Sequence, residues 1–209
     1  MPLDRLWLRS ARLRLTRWLL DEMVHAPLEP ILHPSRTRLQ WLGAFTVLGH
    51  PAYVWLWGYV VPQPFESLPL RIFNACLGIP LLLPLVNRDT SSRLARWTYS
   101  LICWWQLPFF FSWMYWCNGG NPVWLASVAC MIVIYYHLTD WRIATVGTFA
   151  GLVLGYVVSI PPGPAVVDTS LGLDHLVVVG FAWSSSILLG ASSANLRRTR
   201  LINTLSTMG

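Results

Sequence analysis

The amino-acid sequence predicts an all-α polytopic membrane protein, a bundle of six transmembrane helices with both termini in the cytoplasm. Three observations lead to this prediction. First, 55% of the 209 residues are hydrophobic and only 11% are charged, whereas soluble domains carry about 25% charged residues. Second, six apolar runs each approach the roughly 20 residues that a helix needs to cross a bilayer. Third, the basic residues are concentrated on one side of those runs, as the positive-inside rule requires.

The six runs make up a predicted transmembrane domain over residues 40–194. Four prolines fall inside the runs, where neighbouring helices can satisfy the carbonyl groups that a proline leaves free. We expect them to kink their helices and to open space between neighbours. These prolines are Pro51, Pro80, Pro84 and Pro108. The runs lie, to within a few residues, at 40–61, 70–87, 97–117, 122–139, 143–160 and 174–194.

The positions of the basic residues predict the orientation of the bundle. All 15 are arginines, and 14 of them lie in the leader, the second and fourth connections and the C-terminal tail. Only Arg71 falls on the other side of the runs. The positive-inside rule therefore places both termini in the cytoplasm. Because topology explains most of the net charge of +6, we do not interpret it as nucleic-acid binding.

Two segments flank the predicted transmembrane domain. Residues 1–39 form a basic leader, in which Leu3, Trp7 and Leu15 would share one side of a helix, as in a helix lying on the cytoplasmic membrane surface. The separation of faces is imperfect, so a partly ordered basic leader remains an alternative. Residues 195–209 are expected to continue the sixth helix as an amphipathic rod. Since the rod stops without a cap, we expect further chain to follow it.

The stretch from Gln106 to Ser127 is the strongest candidate for a binding site. It ends one apolar helix, turns at Asn-Gly-Gly-Asn (118–121) and begins the next helix at Pro122. Its many aromatic residues predict a wide apolar wall. Trp124 and Ser127 are three residues apart, so their side chains share one helix face. An indole N–H beside a hydroxyl predicts a pocket for an apolar molecule with a small oxygenated head, although such polar groups also bond across packed helices.

The sequence shows no catalytic constellation and no metal-ligand spacing. His50 and His137 lie in apolar runs and could in principle hold a haem, but their predicted depths differ. The polar groups inside the runs are interpreted as neutral, which disfavours ion-coupled transport. Asp140 and Arg142 are interpreted as an interfacial charge pair. The scattered cysteines are interpreted as packing residues; they are Cys76, Cys103, Cys117 and Cys130.

A strip of small residues runs along the predicted sixth helix. Ala182, Ser186 and Gly190 recur every four residues, so they lie on one face. Two interpretations remain open. The strip permits close packing against another helix, or it forms an open slot that takes an alkyl tail.

Several motifs, in order along the chain, resemble the membrane sensor domain of CqsS-type histidine kinases, which detect α-hydroxyketone quorum-sensing signals. The resemblance runs nearly collinearly from about Arg38 to Gly209, and the leader is longer than expected for the family. The motifs are Gly-His-Pro-Ala-Tyr (49–53), Pro-Gln-Pro-Phe-Glu (62–66), Leu-Arg (70–71), Leu-Pro-Phe-Phe-Phe (107–111), Asn118 and Trp124-x-x-Ser127.

The resemblance implies that this chain is the sensor half of a longer sensor histidine kinase in the bacterial inner membrane. The parent protein would form a homodimer, autophosphorylate, and pass the phosphate to a phosphorelay partner or response regulator. Its missing kinase core would use ATP and Mg, whereas no cofactor is expected in this segment. The final Leu-Ser-Thr-Met-Gly (205–209) resembles the residues that precede the phosphoacceptor box in the family. The resemblance thus implies that residues 195–209 begin a signalling and dimerisation helix that leads into the missing kinase core.

The resemblance also implies roles for single residues. Trp124 and Ser127 match the positions that recognise the oxygenated head of the signal. Ala182 and Gly190 match tail-lining positions that hold bulkier residues such as Phe and Cys in other family members, so we predict a longer-tailed ligand here. The aromatic residues Phe111 and Trp113 are predicted to wall the tail. Further predicted ligand contacts are Gln106, Tyr53 and Ser186. The alternative to this receptor is a self-contained small membrane transporter or lipid-handling protein.

Overall fold

The computed structural model describes residues 34–159, 175–176, 178–187 and 189–190, which belong to one compact unit, Leu32–Gly209. Throughout these residues the regular structure is helical and includes no strand. Two predicted features lie outside the described residues: the surface helix of the leader and the rod at 195–209.

The described helices follow the six predicted apolar runs. Helix α1 ends in a π-helical turn, and helices α4 and α5 are joined by another π-helical turn into one continuous rod, here called the central rod. The bounds are α1 Arg36–Trp55 with the turn Leu56–Val60, α2 Leu68–Leu82, α3 Pro84–Asn87, α4 Arg93–Trp104 with the turn Trp105–Phe109, α5 Phe110–Cys117, α6 Pro122–Leu138, α7 Trp141–Ser159 and α8 Val178–Ile187.

Short polar side chains set where the helices begin. Ser35, Ser67, Ser92 and Asn121 each accept a hydrogen bond from a backbone N–H in the first turn of the helix that follows. Such caps satisfy backbone donors that have no partner within the helix. The turn before α6 uses two glycines with φ of +64° and +66°, a backbone conformation that glycine adopts without steric cost.

Two of the four prolines coincide with irregular parts of the helices. Pro108 lies inside the π-helical turn of the central rod, where its missing N–H removes one helical hydrogen bond. Leu83 has extended backbone angles and separates α2 from α3, which begins at Pro84. Pro51 and Pro80 lie inside α1 and α2.

Helix α7 packs closely on the central rod because glycines face it. A Cβ placed on Gly151 would lie 2.5 Å from the backbone carbon of Pro108, so only a glycine allows this approach. On the same contact, the indole N–H of Trp104 donates to the carbonyl oxygen of Gly147 at 3.0 Å. This packing holds the central rod in place behind the candidate site.

One described helix, α7, is by itself long and apolar enough to span a membrane, with 19 residues and a mean hydropathy of 1.5. Helices α2, α6 and α8 are apolar but shorter. The all-helical class is therefore confirmed over the described residues, whereas the crossing of a membrane by all six segments remains a prediction.

The Asp140–Arg142 pair is confirmed. The Arg142 Nε lies 2.9 Å from Asp140 Oδ1, and both side chains are buried at the connection between α6 and α7.

Candidate functional site

A groove of about 790 Å³ lies between α1 and α6. The two helices run in opposite directions along it, since the ring of Trp57 at the end of α1 lies 6.1 Å from that of Trp124 at the start of α6. Arg38 and Leu138 therefore line the other end. Phe111 of the central rod closes the inner side. The wall is predominantly apolar, so the groove suits a long apolar molecule.

The residues that line the groove follow helical spacing on both helices. From α6 they recur at intervals of three and four residues, which is one helix face. These α6 residues are Val123, Ala126, Ser127, Cys130, Met131, Ile134 and Leu138. On α1 the same spacing brings in the residues Arg38, Trp41, Leu42, Phe45, Tyr53 and Trp57. Cys130, interpreted from the sequence as a packing residue, is in fact exposed on the groove wall.

Trp124 lies behind the groove wall, next to the point where Ser127 faces into it. The Trp124 ring is 1% exposed, and its centroid is 6.1 Å from that of Trp57 and 6.2 Å from that of Phe111. Its indole N–H has no hydrogen-bond partner among the described residues. A buried donor without a partner costs about 1–3 kcal/mol, which makes this N–H a candidate donor to a ligand oxygen, although Trp124 itself does not line the groove.

Ser127 uses its hydroxyl locally. The hydroxyl donates to the carbonyl oxygen of Val123, one turn earlier, at 2.8 Å. The oxygen of Ser127 can still accept a hydrogen bond, because a hydroxyl has two acceptor lone pairs.

The interpretation that the buried polar groups are all neutral is wrong. Arg71 is 2% exposed, and it forms a two-pronged ion pair in which Nε and Nη2 lie 2.8 Å from Glu66 Oε1 and Oε2. The guanidinium also lies 5.1–5.8 Å from the ring centroids of Tyr53, Phe110 and Trp124. The carboxylate and the rings together replace the hydration that the charge loses on burial.

A chain of hydrogen bonds leads from Arg71 across three helices. The Nη1 of Arg71 lies 3.4 Å from Nδ1 of His50, and arginine can only donate. The other ring nitrogen, Nε2, therefore donates to Gln106 Oε1 at 2.6 Å. Gln106 in turn donates to the carbonyl oxygen of Asn74 at 2.8 Å. The chain joins α1, α2 and the central rod.

A small cavity of about 20 Å³ lies against this chain. Thr46, His50, Arg71 and Gln106 are polar residues of its lining. Tyr53 and Phe111 line both this cavity and the groove. A volume of this size holds about one water molecule or one ligand oxygen.

Two hydrogen bonds tie the connection before α2 to the turn before α6. The backbone N–H of Phe65 donates to Asn118 Oδ1 at 2.8 Å, and the side-chain amide of Asn121 donates to Gln63 Oε1 at 2.9 Å. They fix the position of Phe65 and therefore of the next residue, Glu66, which is the ion-pair partner of Arg71.

The predicted site residues fall into two groups. Tyr53, Phe111 and Ser127 line the groove, Gln106 lines the small cavity, and Trp124 packs beside both. Trp113 belongs elsewhere, because its ring packs on Phe109 and Phe65 with centroids 6.0 and 6.5 Å away. It stands two residues from Phe111, and such positions do not share a helix face.

The strip of small residues, Ala182, Ser186 and Gly190, forms a packing contact and not an open slot. A Cβ on Gly190 would lie 2.6 Å from Cβ of Trp141, Ser186 is 4% exposed, and Ala182 packs against the buried core. Of the two interpretations of this strip, the structure therefore favours close helix packing.

Sequence reasoning missed His50, Glu66 and Arg71 as parts of a site. The sequence did contain a sign of their role, because all three lie inside the motifs that resemble the sensor kinase family. In addition, Arg71 is the one arginine outside the leader, the second and fourth connections and the tail. What the sequence did not show was that residues 50, 66, 71 and 106 meet.

Among curated proteins, the chain is similar to the CAI-1 autoinducer sensor kinase/phosphatase CqsS of Vibrio cholerae serotype O1. The two are 28% identical over 131 residues, which cover 59% of this chain and 18% of that protein. No family model matches the chain, and no solved structure matches it. The chain is thus distantly related to the membrane domain of a sensor kinase and corresponds to a small part of that relative's length.

Proposed function

We propose that the chain is the membrane receptor module of a two-component sensor histidine kinase. It binds a long-chain α-hydroxyketone autoinducer inside the helix bundle and thereby controls kinase and phosphatase output. The observation that carries this proposal is the apolar groove of about 790 Å³ with an unpartnered buried N–H beside its wall. The similarity to an autoinducer sensor kinase/phosphatase supports it.

The arrangement of the groove orients the ligand. The oxygenated head lies near Trp124 and Ser127, where a donor and an acceptor are available, and the tail follows α6 toward Leu138. From Val123 to Leu138 this wall is about 22 Å long at 1.5 Å per residue. Each methylene buried along it contributes about 0.8 kcal/mol, so affinity rises with tail length until the groove is filled.

The module crosses the bacterial inner membrane six times, with both termini in the cytoplasm. The described helices expose large apolar side chains to their surroundings, as lipid-facing helices do; those more than 70% exposed and outside the groove include Leu48, Tyr59, Leu85 and Phe181. Arg71, the one arginine on the extracytoplasmic side, is paired with Glu66 and adds no net charge there.

The signal passes through α6 to α8. The indole N–H of Trp183 on α8 donates to the hydroxyl oxygen of Tyr136 on α6 at 2.9 Å. A ligand that binds one packing of α6 more tightly than another shifts the equilibrium between them. In the dimeric parent kinase, that shift reaches the catalytic core through the rod predicted at 195–209.

The test is thermal unfolding of the purified chain in detergent with α-hydroxyketones of increasing tail length, on wild type, Trp124→Phe and Trp141→Phe. Both tryptophans are buried with an N–H that lacks a partner among the described residues, but only Trp124 adjoins the groove. The wild type should be stabilised most at one tail length, since ligand binding raises the stability of the folded state. Trp124→Phe should reduce that shift, and Trp141→Phe should retain it.

Equal shifts at every tail length, or equal shifts in the two variants, would mean that the compounds partition into the detergent-bound protein without a specific site. The proposal would then be abandoned.

One observation favours the alternative of a lipid-handling protein. Arg38 lines one end of the groove, where it could attract an anionic lipid headgroup while the acyl chain occupies the apolar wall. Stabilisation by an anionic phospholipid that exceeds stabilisation by every α-hydroxyketone would support this alternative.

A further inference from the structure

We propose that the small cavity beside Arg71 and His50 receives a second oxygen of the ligand head. The chain would then select molecules with two neighbouring oxygens, such as a carbonyl next to a hydroxyl, over molecules with one. This inference rests on the proposed function, because it concerns the head of the same ligand.

The first argument is the polarity of the cavity. Arg71, His50 and Gln106 are 2%, 7% and 3% exposed, and all three line a volume of about 20 Å³. Buried polar side chains normally use their hydrogen-bonding groups fully. Here Nη1 of Arg71 makes only a long contact of 3.4 Å with His50, so it has capacity to donate to an oxygen in the cavity.

The second argument is the chemistry of the donor. A guanidinium carries five N–H donors and no acceptor, so the group it receives must accept a hydrogen bond. A carbonyl or hydroxyl oxygen fits this requirement, and so does the available volume. The apolar groove alone would not distinguish such a head from a plain alkyl end.

The third argument is the distance between the two head contacts. The guanidinium carbon of Arg71 lies 5.8 Å from the ring centroid of Trp124, whose N–H is the other free donor. Tyr53 and Phe111 line both the groove and the small cavity. The small cavity therefore adjoins both the groove and the side of Trp124, so a head that enters from the groove has a charged donor within reach of its second oxygen.

The fourth argument concerns the helices that the oxygen would join. His50 belongs to α1, Arg71 to α2 and Gln106 to the central rod. An oxygen bound among them would favour the packing in which these helices converge.

The test fills the small cavity without touching its charged groups. Arg71→Ala is unsuitable, because it would leave Glu66 buried without its partner. Gly49 lines the small cavity and not the groove, and a Cβ there would make ordinary contacts of 3.8 and 3.9 Å with Tyr53 and Phe45. Gly49→Ala therefore narrows the cavity with little strain. Gly58→Ala is the matched control, since it lies at the end of the same helix with nothing within 4 Å of its Cβ.

Binding of three probes is measured on the purified chain: an α-hydroxyketone, the ketone without the hydroxyl, and the alcohol without the carbonyl, all with the same tail. The wild type and Gly58→Ala should bind the hydroxyketone about tenfold more tightly than either single-oxygen probe, the effect of one charge-assisted hydrogen bond. Gly49→Ala should bind the hydroxyketone as weakly as the single-oxygen probes, with unchanged affinity for those.

Other outcomes would contradict either the second-oxygen subsite alone or the proposed function as well. If the wild type binds the hydroxyketone and Gly49→Ala binds it equally well, or loses affinity equally for all probes, the second-oxygen subsite is wrong and the proposed function stands. If the wild type shows no saturable binding of any probe, both are wrong.

Discussion

Arg71 shows how a single charge can be buried among apolar helices. Its guanidinium is satisfied by both carboxylate oxygens of Glu66 at 2.8 Å and is surrounded by three aromatic rings. Removing both charges of such a pair is often tolerated, whereas removing one leaves an uncompensated charge. The pair is therefore expected to be strongly non-additive.

We expect Arg71→Gln to lower the free energy of unfolding by about 3–5 kcal/mol, because Glu66 stays buried and unpaired. The double variant Arg71→Gln with Glu66→Gln should be clearly more stable than the single one. Denaturant or thermal unfolding of the purified chain measures both. A double variant as unstable as the single variant would show that Arg71 acts through its shape and not through its charge.

At the scale of elements, α6 carries the groove on one face and contacts α8 through another. Ser127, Cys130 and Ile134 face the groove, while the hydroxyl of Tyr136 accepts the hydrogen bond from Trp183. Under the proposed function, we therefore expect α6, and not the strip of small residues at 182–190, to decide which tail length the groove accepts. Enlarging Gly190 would press on Trp141 and so lower stability without shortening a binding slot.

Cys130→Leu should shift the preference of the protein toward shorter-tailed α-hydroxyketones, since the larger side chain occupies groove volume that methylenes would fill. Val133→Leu is a matched control on the same helix, because Val133 is 43% exposed and is not part of the groove wall described above. Ligand-dependent thermal shifts across a series of tail lengths measure the preference. The same optimum in wild type and Cys130→Leu would place the tail outside the groove.

At the scale of the whole molecule, the connection of α1 to α2 and the turn between α5 and α6 lie at one end. Asn118 and Asn121 hydrogen-bond to Phe65 and Gln63, so these two connections share a side. The arginine-rich connection at 88–96 begins where α3 ends, toward the other end of the helices. The proposed orientation puts the α1–α2 connection and the α5–α6 turn outside the cytoplasm and the arginine-rich connection inside it.

Single cysteines in a cysteine-free background test this orientation. Pro62→Cys and Arg88→Cys replace exposed residues in the two opposite connections. A membrane-impermeant maleimide should label Pro62→Cys in intact spheroplasts and Arg88→Cys only in inverted vesicles. Labelling of both from the same side would rule out the proposed six-crossing arrangement.

The sequence by itself determined the local structure. Apolar runs, serine and asparagine caps and the Asn-Gly-Gly-Asn turn act over a few residues, so the helices lie close to their predicted bounds. Helical spacing also predicted that Trp124 and Ser127 are neighbours on α6, but in the structure Trp124 is buried behind the groove wall and only Ser127 lines it. The likeness of the ordered motifs to a sensor kinase family was likewise visible in the chain alone.

Only the tertiary structure decided which helices meet. The groove joins α1 to α6, and the buried chain joins His50, Arg71 and Gln106 from three different elements. Such contacts depend on how side chains from distant parts of the chain fit together, and periodicity holds no information about a partner helix. For the same reason, periodicity left the strip of Ala182, Ser186 and Gly190 equally consistent with a slot or a contact. The side chain of Trp141 fills the space beside Gly190, and this contact distinguishes the two.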